Sequence, residues 1–115
     1  MTESQNNFIK TDWGYILHWA NHEDYSAKIY VFESAEAQTE MQFHKDTHKT
    51  FFVNAGRFIL QFIETTHGTI NTHPLNEGDT ISVPAMTPYN LKCITPHSSI
   101  TEVASQNYSE DIYKI

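Results

Sequence analysis

Alternation with a period of two residues narrows the fold of this chain more than any other feature. Short runs of β-branched and aromatic residues alternate with polar ones and end in Gly, Pro, Asn or Asp, and no stretch sustains the apolar period of a helix. The candidate strands cover residues 14–19, 27–33, 39–44, 50–54, 57–63, 69–72, 79–83, 89–94 and 99–104. About nine short strands at this spacing predict an all-β barrel or jelly roll. Thr66-His67-Gly68 and Asn76-Glu77-Gly78-Asp79 supply turns, since Gly and Asn tolerate positive φ. Residues 34–38, rich in Ala and Glu, read as a loop, with one helical turn as the alternative.

A length of 115 residues leaves room for one domain and one core, and 13% aromatic residues suffice to fill it. The expected division is an arm over residues 1–10, either disordered or an edge strand, followed by the barrel over 11–115. Six Lys and one Arg against a net charge of −7 leave no basic stripe for a phosphate backbone, so nucleic-acid binding is not expected. The opening residues lack the basic and apolar regions of a secretory signal, and no apolar run approaches the roughly 20 residues of a spanning helix. The expectation is a cytoplasmic protein without a membrane partner. The single cysteine, Cys93, cannot form an internal disulfide and sits at a strand position expected to be buried. Arg57-Phe58-Ile59-Leu60-Gln61-Phe62-Ile63 is apolar on both faces, which predicts a covered outer face and hence a homodimer.

Two segments carry the chemistry. If Gln42 to Gly56 is extended, Gln42, His44, Asp46 and His48 share one face. Gly78 to Tyr89 runs from a turn through a β-branched strand to a bend bounded by Pro84 and Pro88. Lys49 precedes Gly56 by seven residues, Gly78 precedes Pro84 by six, and Tyr89 follows Pro84 by five. These spacings resemble the two motifs of the cupin family, a single-domain double-stranded β-helix or jelly-roll barrel. In that frame the family's first metal histidine falls on His44, its second on Asp46, its glutamate on Lys49 and its last histidine on Tyr89. Only His44 is the family's own residue type.

Within the cupins, the chain is similar to the barrel domain of the mannose-6-phosphate isomerase and mannose-1-phosphate guanylyltransferase type. Asp12-Trp13-Gly14, Ala27-Lys28-Ile29, Gln42 before His44, Glu102-Val103 and Glu110-Asp111-Ile112 with Lys114 stand in that group's places. No room remains for a separate nucleotide-binding domain, so nucleotidyl transfer is not expected. The resemblance implies a ligand such as a sugar phosphate or similar small polar or anionic molecule, and isomerisation through an enediol. That chemistry needs a base and an electrophile. His44 would be the base, Lys49 a cationic electrophile and Tyr89 a proton donor.

Lys28 and Gln42, with Lys49 and Tyr89, would line the ligand cavity; a slip of one residue in register would instead place Lys28 and Gln42 on the surface. The ordinary reading of Lys49 and Tyr89 is a snorkelled lysine and a core tyrosine. The alternative function is a binding or regulatory cupin that does no chemistry. A further alternative is a metal-dependent oxygenase or lyase, in which His44, Asp46 and His48 hold Zn, Mn, Fe or Ni with positions left open for water. The remaining histidines, His18, His22, His67, His73 and His97, sit near turns or strand ends and are expected at the surface.

Overall fold

The computed structural model describes residues 7–106 and 110–115; the first six residues of the expected N-terminal arm lie outside this range. Eleven strands run in chain order: β1 (Phe8–Lys10), β2 (Gly14–Asn21), β3 (Ser26–Phe32), β4 (Gln42–Phe43), β5 (Lys49–Ala55), β6 (Phe58–Glu64), β7 (Thr69–Leu75), β8 (Thr80–Val83), β9 (Tyr89–Cys93), β10 (Ser98–Ala104) and β11 (Tyr113–Lys114). They form a six-stranded sheet, ordered β1-β2-β3-β10-β5-β8, and a five-stranded sheet, ordered β11-β4-β9-β6-β7. All pairings are antiparallel. Chain neighbours often lie in opposite sheets, as β4 and β5 do, so the chain winds around a shared interior. Among the described residues no helix is long and apolar enough to cross a membrane.

The expected strand over 39–44 is shorter than its pattern suggested. Only Gln42 and Phe43 pair as a strand, while residues 36–41 run beside β9 through spaced bonds such as Thr39 N to Leu91 O at 2.9 Å. Phe8–Lys10 pairs with β2 as the edge of the larger sheet. The outer side chains of β6, Ile59 and Ile63, are half-buried beside β7.

Alternation sends every second side chain inward. At one end of the barrel Phe32, Val53, Phe58, Leu60, Leu91, Cys93 and Ile100 fill the interior with hydrocarbon. Burying each of the larger of these contributes roughly 1.5–3 kcal/mol. The same strands then carry the interior into polar territory: Lys28 and Tyr30 on β3, Lys49 on β5, Tyr89 on β9 and Glu102 on β10. The turn between β5 and β6 depends on Gly56, whose φ is +83° and whose missing Cβ would lie 1.8 Å from Ser98 Oγ. No other residue fits that approach.

Candidate functional site

The polar end of the barrel has two tiers. The deeper tier is sealed. Lys49 donates to Tyr89 Oη at 2.7 Å and to Glu102 Oε1 at 3.1 Å, and Tyr30 donates to the same Glu102 oxygen at 3.0 Å. The side chains of Lys49 and Glu102 are both 0% exposed. His44 is also buried, its ring centroid 6.1 Å from that of Tyr89. Its Nδ1 lies 2.6 Å from the carbonyl oxygen of Asp111. A carbonyl only accepts, so Nδ1 carries the proton in this arrangement.

Burial and charge set the ionisation of this tier. Desolvation pulls the Lys49 ammonium down to about 8, while Glu102 works to keep it charged. Desolvation, then the Lys49 charge, lowers His44 and favours the neutral imidazole. Burial, reinforced by Glu102, pushes the Tyr89 hydroxyl well above its ordinary range, although Gln42 hydrogen-bonds it. The tier therefore holds one ion pair with two tyrosines and a neutral imidazole around it.

Above it lies an open cleft of about 670 Å³, lined by Thr11, Trp13, Lys28, Tyr30, Gln42 and Lys114 among others. Tyr30 and Gln42 belong to both tiers, since each lines the cleft and bonds a sealed group below. Trp13 stacks on Phe32 at a centroid distance of 4.0 Å, so its ring is the junction between cleft and hydrocarbon core. Asp12 and Glu40 also line the cleft, and Glu40 pairs with Lys114 at 2.7 Å. Burial lowers the Lys28 ammonium, with Glu102 opposing the shift.

The structure thus brings Lys28, Gln42, His44, Lys49 and Tyr89 to one end of the barrel. It does not bring Asp46 or His48 there. The alternation expected from Gln42 to His48 breaks at a bend over Lys45 and Asp46. The Asp111 carboxylate accepts from both backbone amides at 2.9 Å and from Thr47 Oγ1 at 2.8 Å. The bend exposes Asp46 and His48 and turns Thr47 and Lys49 inward. His48 instead lines a depression of about 600 Å³ with Thr50, Ser82 and Val103, against the larger sheet.

A divalent ion at His44, Asp46 and His48 needs three converging donors. Among the described residues no group of three His, Cys, Asp or Glu is placed to hold a metal, and the position matching the family's glutamate brings the ammonium of Lys49. The side chains present do not fit a metal.

His22, His67, His73 and His97 are exposed as expected, but His18 is not a plain surface residue. A bulge at Trp19 lets His18 pair with Lys28 on the inward face, and its Nε2 is buried. Desolvation and then Lys28 lower its basicity. Glu102, Tyr30 and Trp13 are the site residues that chemical reading of the sequence missed. A signal existed for Glu102: it shares the inward period with Ile100 and Ala104, so a carboxylate interrupts a core row.

No family model and no curated protein sequence matches the chain. Solved structures do match. The chain superposes over 98% of its length on CapF of Staphylococcus aureus, a capsular polysaccharide assembling protein, with a TM-score of 0.82 and 11% identity. It superposes over 100% of its length on oxalate decarboxylase of Bacillus subtilis, with a TM-score of 0.84 and 13% identity. It spans about a third of each of those two chains, covering 35% and 31%. KdgF of Halomonas sp. matches over 87% of both chains, with a TM-score of 0.73 and 18% identity. At such identities the likeness is one of fold, and that fold is the single-domain cupin jelly roll.

Proposed function

We propose that this chain is a small binding protein of the cupin fold that takes a sugar-sized polyhydroxylated ligand into the mouth of its barrel. One observation carries the reading: the open cleft combines an aromatic ring, Trp13, with hydroxyl, amide and ammonium groups on Tyr30, Gln42 and Lys28, while the ionic groups beneath are closed off. An apolar surface beside a few converging polar groups suits a sugar, which presents both kinds of face. The capsular polysaccharide role of CapF is in keeping with this. The charge balance bears on the ligand. Lys28 and Lys114 stand against Asp12 and Glu40 in the cleft wall, and Lys49 is already paired with Glu102, so little net positive charge remains for a phosphate.

The test is thermal shift and titration calorimetry with mannose, mannose 6-phosphate and fructose 6-phosphate. Stabilisation by mannose at least equal to that by its phosphate is expected, with Gln42→Ala losing it and His67→Ala leaving it intact. No shift with any of the three sugars sinks the reading.

A second reading is favoured by one feature, the 2.7 Å contact between Tyr89 and a lysine whose ammonium is pulled down to about 8. Such a pair can pass a proton near neutral pH, as aldose–ketose isomerisation of the mannose-6-phosphate isomerase type requires. His44 would then be the base, and Tyr30 and Gln42 would have to move aside to admit substrate. Interconversion of mannose 6-phosphate and fructose 6-phosphate, abolished by His44→Ala, is its signature.

A further inference from the structure

The cleft at the barrel mouth does not end at its rim. Gln38, Thr39, Glu40 and Lys114 in its wall also line a second depression of about 450 Å³, on the far side of the same segment. Residues 36–41 run along β9, and the Ile115 amide bonds the Met41 carbonyl at 3.2 Å, so this segment and β11 together form the edge of the five-stranded sheet. Alternation along β9 sends Tyr89, Leu91 and Cys93 into the core and turns Asn90 to the outer face, where it lines the depression with Met41 and Ile115. The trough therefore starts inside the mouth, crosses a lip made by Glu40 and Lys114, and continues on the outside of the sheet.

One unsatisfied polar atom stands in each half. Asn90 is 5% exposed; its Nδ2 donates to the Thr39 carbonyl at 3.3 Å, while its Oδ1 meets no donor among the described residues. In the cleft, the buried Thr11 Oγ1 likewise has no hydrogen-bond partner among the described residues. A buried polar atom left in this state destabilises a fold unless something supplies the bond. Neither atom is charged. Glu40 and Lys114 bond each other at 2.7 Å across the lip, and among the described residues no other charged side chain lines the depression.

We infer that the ligand is an uncharged oligosaccharide of at least two units, with one ring in the cleft beside Trp13 and the next over the lip, against Met41 and Asn90. This rests on the reading of the cleft as a sugar site. A hydroxyl of the second ring supplies the donor that Asn90 Oδ1 lacks, while the ring carbons lie on Met41 and Ile115. An anion does not suit this half, because Lys114 is already paired and Asn90 presents an acceptor. Each concavity is of a size to hold a ligand of its own, so a single sugar leaves the outer one unused. Joining two rings makes the second contact intramolecular, so the linked pair binds far more tightly than either unit.

The experiment is titration calorimetry of the chain with mannose and with α- and β-linked mannobiose. The better mannobiose is expected to bind at least about tenfold more tightly than mannose. Asn90→Leu removes the acceptor at similar volume, and Ile115→Trp fills the depression from a side chain that is 69% exposed. Each is expected to bring mannobiose down to the affinity of mannose and to leave mannose itself unchanged. Circular dichroism checks folding; should Asn90→Leu unfold, Ile115→Trp decides alone. Mannobiose that binds no better than mannose overturns the extended site while leaving a one-ring site in the cleft. So does a gain that survives either folded variant, since the second ring then lies elsewhere. Binding of neither sugar sinks the cleft reading and this inference together.

Discussion

The ion pair of Lys49 and Glu102 puts opposite charges where water reaches neither. Removing one partner leaves the other stranded, whereas replacing both with hydrocarbon of similar size is often neutral or stabilising. We expect Glu102→Ala to destabilise by about 3 kcal/mol, the low end for a broken buried pair because Lys49 can shed its proton. Lys49→Met combined with Glu102→Leu is expected to return close to wild-type stability in urea denaturation. A double variant as unstable as Glu102→Ala alone would contradict this account.

The lowered Lys49 ammonium also fixes the direction of a pH effect. Its folded value, about 8, lies below the ordinary 10.5, so the unfolded chain holds the extra proton between those limits. Folding is penalised below pH 8 and the penalty fades as pH rises through that window, in which Lys28 acts in the same direction. The urea midpoint should therefore climb from pH 7.5 to 9.5, and Lys49→Met should flatten much of the climb.

That Lys49 and Tyr89 share the pocket was expected from the spacing that resembles the cupin motifs, whereas strict alternation from Gln42 puts Lys49 on the face opposite His44, and only the bend over Lys45 and Asp46 turns both inward. The neutralisation of Lys49 was not expected. It rests on Glu102, a residue 53 positions from Lys49 whose row reads as core.

Among the elements, long strands with strict alternation were readable, whereas β11 was not, β4 was read as a longer strand over 39–44, and β1 only as one alternative for the N-terminal arm. Strands this short exist through their partners rather than through local preference. The bend that exposes Asp46 and His48 has the same cause, since Asp111 holds it from 65 residues away. No window of local sequence contains both ends of that contact.

Turns give a sharper comparison. Gly56 and Gly78 both have positive φ, +83° and +88°, but a Cβ on Gly56 would strike Ser98 while one on Gly78 meets open space. Gly78→Ala is expected to cost about 1 kcal/mol from backbone strain alone. Gly56→Ala should cost several times that, because β10 must also move. Equal losses in a denaturation series would mean that the crowding at Ser98 relaxes freely.

For the molecule as a whole, the interior is divided between hydrocarbon and ionic ends, and Cys93 lies in the first at 0% exposure. Burial also raises its thiol, so the reactive thiolate is scarce in the folded chain. Labelling by a thiol reagent should therefore proceed only through global unfolding, and its rate should follow denaturant as the unfolding equilibrium does. Fast labelling under native conditions would show that this end opens locally.

The position of Trp13 gives the barrel a built-in optical probe. The chain has two tryptophans; Trp19 is 58% exposed, and Trp13 rests on Phe32 at the edge of the cleft. A solute settling in the mouth displaces water from the Trp13 indole while Trp19 goes on reporting the solvent. With Trp19→Phe the emission spectrum comes from one ring, and occupancy can be followed by its colour, with no dye, tag or turnover assay.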